Sequence, residues 1–340
     1  MRLGILDQSP IMSGSTAQAA LQQSLQLAEF ADARGYHRYW FAEHHGSDSF
    51  AGCAPEVMIG QALARTRSIR VGSGGVMLMH YSPLKIAETF NVLQSLFPDR
   101  VDLGIGRAPG SDSLTAAALA YGSRIGTEYI PAKLADLAAF LESRTPHTEA
   151  LQAVRSRPQT ARPTPVWMLG STLDGAQLAA QFGLPYCHAH FIGPENTRPA
   201  SASYLDGFRN NDKLSGLVGT RRPYLALGVF VICADTESEA QVLARCRDLW
   251  RVRAERGEFS PFPTLAEAQD YRFSAAEQAR IAERREHMIA GTADQIAEKL
   301  QTLAKETLAQ ELMLVCITPD FQSRLHSYEL IADAMLPNAP

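Results

Sequence analysis

The sequence predicts an α/β protein closed into a TIM (β/α)8 barrel with insertions, forming a single domain over residues 1–340. Short β-type runs alternate with longer helical ones, and eight such strands can be counted. The polar and glycine-rich clusters fall at the C-terminal ends of those strands, where such a barrel carries its function. A length of 340 residues suits two domains or one barrel with insertions, so the alternation decides, not the length.

The elements follow in order. Residues 2–6 form a short apolar strand, and 15–34 a helix in which Leu21, Leu25, Ala28 and Ala31 recur at helical spacing. Gly35 stops it, and 36–42 is the second strand. Pro55 opens a helix to 64, and 69–78 is β-rich. Pro83 suits a first helical turn, where its missing N–H costs nothing, and Ile86, Phe90, Leu93 and Phe97 line one stripe. Residues 100–106 make the fourth strand. Helix 127–141 leads to a proline-rich irregular connection at 143–165. The alternation then resumes: strand 166–169, helix 174–182, strand 186–191, helix 195–211, strand 224–234 and helix 236–256. Residues 257–288 have no place in it and read as an inserted lid. Helix 293–304, strand 311–317 and helix 321–335 close the chain.

Composition narrows the functional classes. Hydrophobic residues at 46% and charged residues at 20% describe a soluble chain with a sizeable core. A net charge of -4 without a dense Lys/Arg block argues against nucleic acid or an anionic membrane as partner. The five cysteines are odd in number and contain no Cys-x-x-Cys pair, so they read as reduced thiols in a cytoplasmic protein, with no metal site implied. Asp7 breaks the first apolar run too early for a signal peptide, and runs such as 228–234 fall short of the roughly 20 residues of a membrane helix.

The strand ends carry the motifs. Ala42-Glu43-His44-His45 ends the second strand, and Gly74-Gly75 lies in the third. Residues 82–90 read Ser-Pro-Leu-x-x-Ala-Glu-x-Phe, and 98–110 end in Gly106-Arg107-Ala108-Pro109-Gly110. Gly170-Ser171-Thr172 follows the fifth strand, with Ala-Ala-Gln-Phe-Gly-Leu-Pro at 179–185. Together, in this order, they resemble the bacterial luciferase-like monooxygenases, specifically short members with the Gly-Arg-Ala-Pro-Gly motif. The resemblance implies an FMN-dependent oxidoreductase, a two-component monooxygenase that uses reduced FMN and O2 on a small organic substrate. It further implies a separate flavin reductase and a homodimer. A deazaflavin in place of FMN is a variant within the fold.

Under that resemblance Arg107 suits the cofactor phosphate through paired charge-assisted bonds, although a rim salt bridge would also explain it. Gly170, Ser171 and Thr172 precede a helix and offer an anion nest, or an ordinary cap. Gly74 and Gly75 match a non-prolyl cis peptide beneath the flavin ring, or a bulge. His44 matches the active-site histidine and could hold or deliver a proton. Glu43 would orient it or serve as a structural carboxylate. His190 shares a face with Tyr186 and His188, for packing or for contact with the flavin. The segment 111–126 joins 257–288 as a possible lid. Phe50, Tyr81, Tyr129 and Phe259 could line a substrate pocket. His80 stands where relatives often have Asn, and Gly106 where one luciferase subunit has a reactive cysteine, so neither role carries over.

Two other readings remain: a non-catalytic flavin-binding protein of the same fold, and a metal-dependent TIM-barrel hydrolase using Glu43, His44, His188 and His190. No His-Glu-x-x-His supports the latter. The spacing Gly104-x-Gly106-x-x-x-Gly110 also departs from a Rossmann fingerprint.

Overall fold

The computed structural model describes residues 1–108, 110–122, 126–209, 218–220 and 222–336. It opens on β1 (Arg2–Asp7), buried beyond its first residue, and α1 (Ala17–Ala33). The Thr16 hydroxyl caps α1 by accepting from the Ala19 N–H at 3.1 Å. β2 (Arg38–Phe41) and α2 (Pro55–Arg65) follow. The β-rich stretch expected at 69–78 divides into β3 (Arg70–Ser73) and β4 (Val76–Met77), and the Gly74–Gly75 peptide between them is cis.

Next come α3 (Pro83–Leu96), β5 (Val101–Gly106), α4 (Ser113–Ala120) and α5 (Ile130–Leu141). Helix α4 lies inside the segment 111–126 named above as a lid. Asp112 starts it by accepting from the N–H groups of Leu114 and Thr115. Residues 123–125 of that segment lie outside the described residues. Beyond the irregular connection stand β6 (Val166–Gly170), α6 (Leu173–Phe182), β7 (Tyr186–Ala189), α7 (Thr197–Arg209) and β8 (Leu225–Cys233). α6 ends at Gly183, whose φ of 67° is the left-handed conformation glycine supplies without penalty.

The chain then runs through α8 (Glu237–Glu255), α9 (Leu265–Asp270) and α10 (Ala275–Arg285). It returns through β9 (Ile289–Gly291) to α11 (Ala293–Thr307), β10 (Glu311–Val315) and α12 (Phe321–Met335). Eight strands close the barrel in the order β1-β2-β3-β5-β6-β7-β8-β10, all parallel, with β10 pairing both β8 and β1. β4 adds to β5 above the cis peptide, and β9 to the top of β8.

Helix α11 lies between α7 and α12 and contacts β8, so it takes a place in the outer ring. α8 contacts β8 as well as α9 and β9, and Val231 pairs with Ile289 where the excursion from β8 returns.

The N-terminal end of the barrel interior is filled by charge. Arg38 Nε donates to Glu311 at 2.7 Å and its Nη1 to Asp102 at 2.5 Å, while Trp40 Nε1 and Arg70 also donate to Asp102. Tyr224 donates to Glu311, and the Arg38 guanidinium lies 4.6 Å from the Trp167 ring centre. All three charged groups at the centre are buried, yet each meets an opposite charge, as burial requires. Among the described residues no helix is long and apolar enough to cross a membrane. The five cysteines are free, four of them buried and Cys53 exposed.

Candidate active site

A cavity of about 380 Å³ opens at the C-terminal end of the barrel. Its base is the glycine pair. Gly74 and Gly75 both line it, and neither position has room for a side chain. A Cβ on Gly75 would lie 2.8 Å from the Gly104 carbonyl oxygen and the Gly106 nitrogen, and one on Gly74 would meet Leu6. Leu6, Ala42, Met77, Leu169, Cys187, Ala189 and Gly228 complete a mostly apolar wall.

One edge of this cavity brings an arginine to the start of a helix. Arg107, at the end of β5, donates from Nη2 to the Thr172 hydroxyl at 2.6 Å, while its Nε is buried with no partner among the described residues. Thr172 starts α6, but its side chain makes no capping bond because it serves Arg107 instead. The first-turn N–H groups of α6 thus keep no side-chain acceptor, and the positive end of the helix dipole stays open. Gly175 in that turn faces the guanidinium, and a Cβ there would make ordinary contact with Arg107 Nε at 3.5 Å. Gly170, Ser171 and Thr172 all line the cavity. Asp174, the acidic residue of the turn, is exposed.

His44 and Glu43 also line the cavity, but as separate units. His44 stacks on Phe50, ring centres 4.5 Å apart, and its Nδ1 is buried with no partner among the described residues. Burial drives its pKa down to about 4, against opposing attraction from Glu43, so the ring is neutral at physiological pH. Glu43 does not orient it. The Glu43 carboxylate instead accepts from His45 at 2.8 Å, Tyr81 at 2.7 Å and the Met77 N–H at 3.0 Å. That pairing holds the β2 end against the turn after β4.

His190, expected at the cofactor, does not line the cavity. Its Nδ1 bonds the Thr197 hydroxyl at 2.7 Å, and its ring meets His287 edge-on. Tyr186 and His188 likewise bond each other at 3.0 Å on the face of β7 away from the cavity, and His188 bonds the Gly193 carbonyl. The cavity takes the other face of this strand, with Cys187 and Ala189. Glu43, His44, His188 and His190 therefore do not converge as a hydrolase metal site would need. Among the described residues no group of three His, Cys, Asp or Glu gathers.

Several contributors were not foreseen. Trp250 and Phe262 stack on each other, 4.6 Å apart, and both meet Phe50 edge-on, so the excursion backs the ring that backs His44. A second cavity of about 810 Å³ lies outside His44, lined also by Phe50, Cys53 and Pro261. Of the other aromatics considered for the pocket, Tyr81 is engaged with Glu43 and Phe259 is exposed. Pro109, inside the glycine-arginine motif, lies outside the described residues.

Comparison with known proteins gives consistent matches along the chain. A profile of the luciferase-like monooxygenases matches residues 1–311. An Escherichia coli protein named luciferase-like monooxygenase is 38% identical over 97% of this chain and 95% of its own. The N-acetyl-S-alkylcysteine monooxygenase of Bacillus subtilis is 35% identical over 99% of this chain and 98% of its own. The crystal structure of apo-MsnO8 superposes with a TM-score of 0.89 at 35% identity, covering 100% of this chain and 99% of that one. The chain belongs to the luciferase-like monooxygenase family.

Proposed function

We propose that the protein is an FMN-dependent monooxygenase that transfers one oxygen atom of O2 to a small organic substrate. The observation that carries this reading is the unfinished anion site beside an apolar, glycine-based cavity. Arg107 Nε lacks a partner and the α6 start lacks its cap, and both gaps fit a phosphate. The glycine base and apolar walls fit a flat ring system. Bound in reduced form, FMN would supply the electron pair that splits dioxygen, giving an oxygenated product and water.

The chain's own residues do the rest. Arg107, Ser171, Thr172 and Gly170 hold the phosphate end, while Gly74 and Gly75 allow close approach from below. His44, neutral and with Nδ1 unengaged, accepts a proton or a hydrogen bond at that atom; a residue with its pKa near 4 is not a standing proton donor at pH 7. Glu43 positions His45, Tyr81 and the β4 turn. The apolar walls exclude water, and α4 with the 237–288 excursion are the parts placed to close over the site. The free thiols suit a cytoplasmic setting, where a separate reductase would deliver reduced FMN. We also read α2 and α3 as a homodimer face, because Val57, Val92 and Leu96 stand exposed there. Light scattering on Leu96→Glu should then give a monomer where wild type gives a dimer; a wild-type monomer removes that reading.

The first test is anaerobic titration of reduced FMN into wild type and Arg107→Ala, followed by admission of air in the presence of candidate substrates. Loss of the guanidinium should weaken FMN by about tenfold to a hundredfold, the cost of a charged hydrogen-bond partner. Failure of FMN to bind wild type, with binding of a deazaflavin instead, would overturn the FMN assignment. Oxygen uptake without any oxygenated product would leave a flavin-binding protein rather than a monooxygenase.

A further inference from the structure

The excursion above the barrel carries arginines for which the flavin reading has no use. Arg247 and Arg251 stand one helical turn apart on α8, beside Trp250. The Arg247 guanidinium carbon lies 3.9 Å from the centre of the Phe230 ring. Phe230 is two residues beyond Gly228 on β8 and so points to the same side of the strand, above the part of it that lines the cavity. Arg251 lies over Trp250 at 5.6 Å, and Trp250 leads through Phe50 to His44. The two guanidiniums thus adjoin the β8 end on one side and the Trp250–Phe50–His44 stack on the other, without lining the cavity themselves. Arg284 of α10 adds a third cation nearby.

Acid does not match base in this group. Asp248 is taken by Arg285, and Glu255 by Arg280 and Arg284. Among the described residues neither Arg247 nor Arg251 forms a direct ion pair, although Asp248, held by Arg285, attracts Arg247. Among the described residues the Arg251 Nε and Arg284 Nη1 atoms are buried without a partner, and Arg247 donates to the soft sulfur of Met288 at 3.8 Å. Burial, and then repulsion from Arg251, pushes the Arg247 pKa down to about 9 against attraction from Asp248, which leaves it cationic at neutral pH with its neighbouring carboxylate engaged by Arg285. Holding guanidinium groups partly buried and unpaired is costly, and their surplus field over a low-dielectric cavity attracts an anion.

That anion is not the cofactor phosphate, which the reading above assigns to Arg107 and α6, on β5 and β6. We propose that Arg247 and Arg251 form an anion subsite that holds the oxyanion head of the substrate while its apolar body enters the cavity. The substrate class is then an organic anion, a carboxylate in the first instance, with sulfonate and phosphate sharing the same chemistry. The proposal rests on the monooxygenase reading of the cavity, but its test does not need turnover.

The experiment is calorimetric titration of octanoate, octanesulfonate and octyl phosphate against octan-1-ol and octylamine, with and without saturating FMN, on the full-length protein. Trp250 fluorescence provides a second readout. At least one anion should bind about tenfold or more tightly than the alcohol and the amine, and Arg247→Met or Arg251→Met should each lower its affinity by about tenfold while sparing FMN. Arg247→Met, which keeps contact with Phe230, should also melt higher than wild type without anion, an advantage that shrinks when anion is added. A structural arginine would lose stability instead. Arg247→Lys keeps charge without the planar fork and covers the case in which the methionine variant does not fold; it should retain part of the anion preference.

Equal binding of all five probes, or anion affinity unchanged in all three variants, overturns the proposal. So does a loss in Arg107→Ala as large as in Arg247→Met, since the probes would then be sitting in the phosphate cradle. Anion binding that survives in a protein unable to bind FMN would sink the flavin reading and leave this subsite standing.

Discussion

Burial governs His44, and with it a pH dependence that belongs to single residues. The ordinary pKa of 6.5 falls to about 4 in the folded protein, and burial lowers His190 and His37 to about 4 in the same way. The unfolded chain therefore binds these protons more readily, so stability is fully present above about pH 6.5 and is lost as pH falls towards 4. The melting temperature should decline across that window. His44→Phe, which keeps the stack on Phe50, should decline less, by on the order of 1–3 kcal/mol at the acid end. Equal slopes for variant and wild type would remove His44 from the account. Sequence alone pointed to His44 through its motif but could not pair it, because the strand-end alternation does not say which carboxylate lies beside which imidazole. It also left the face of β7 undecided. Tyr186, His188 and His190 drew attention as polar residues, whereas the cavity takes the small side chains of Cys187 and Ala189. Smallness at alternate positions was the available signal.

Among the elements, the short β4 depends on two glycines. It pairs with β5 through Val76 and Ile105, and that pairing exists because Gly75 passes within contact of Gly104 and Gly106. Gly75→Ala would place a methyl group against backbone that cannot yield as a side chain does. A loss of about 1–3 kcal/mol is expected, with weaker FMN binding than in wild type. A variant with unchanged melting temperature and FMN affinity would show that β4 can shift without cost. The period of the helices was legible nearly everywhere: α2, α3 and α12 fall within a residue or two of their expected bounds. The membership of α8 was not. A long helix after a strand looks the same in sequence whether or not it belongs to the outer ring, and the contacts of α11 with α7 and α12 tell them apart. Helix α4 escaped for another reason. Its alanine-rich stretch has no apolar stripe for periodicity to find.

For the whole molecule, closure of the barrel was foreseen from the eightfold alternation, but the ionic centre of its lower end was not. Arg38, Asp102 and Glu311 come from three distant strands, and no local pattern joins them. Arg38→Met would leave the buried Glu311 without its cation and Asp102 with Arg70 alone, and should cost about 3–5 kcal/mol, read as a lowered denaturation midpoint. A change below about 1 kcal/mol would mean that water reaches this region and screens it. The same cluster has a consequence for traffic. With Arg38, Trp40, Trp167, Asp102 and Glu311 packed across the lower end, the cavity is a well rather than a pipe. Whatever rests on the glycines at its bottom enters before anything laid over it and departs after it, so exchange at this site runs last in, first out.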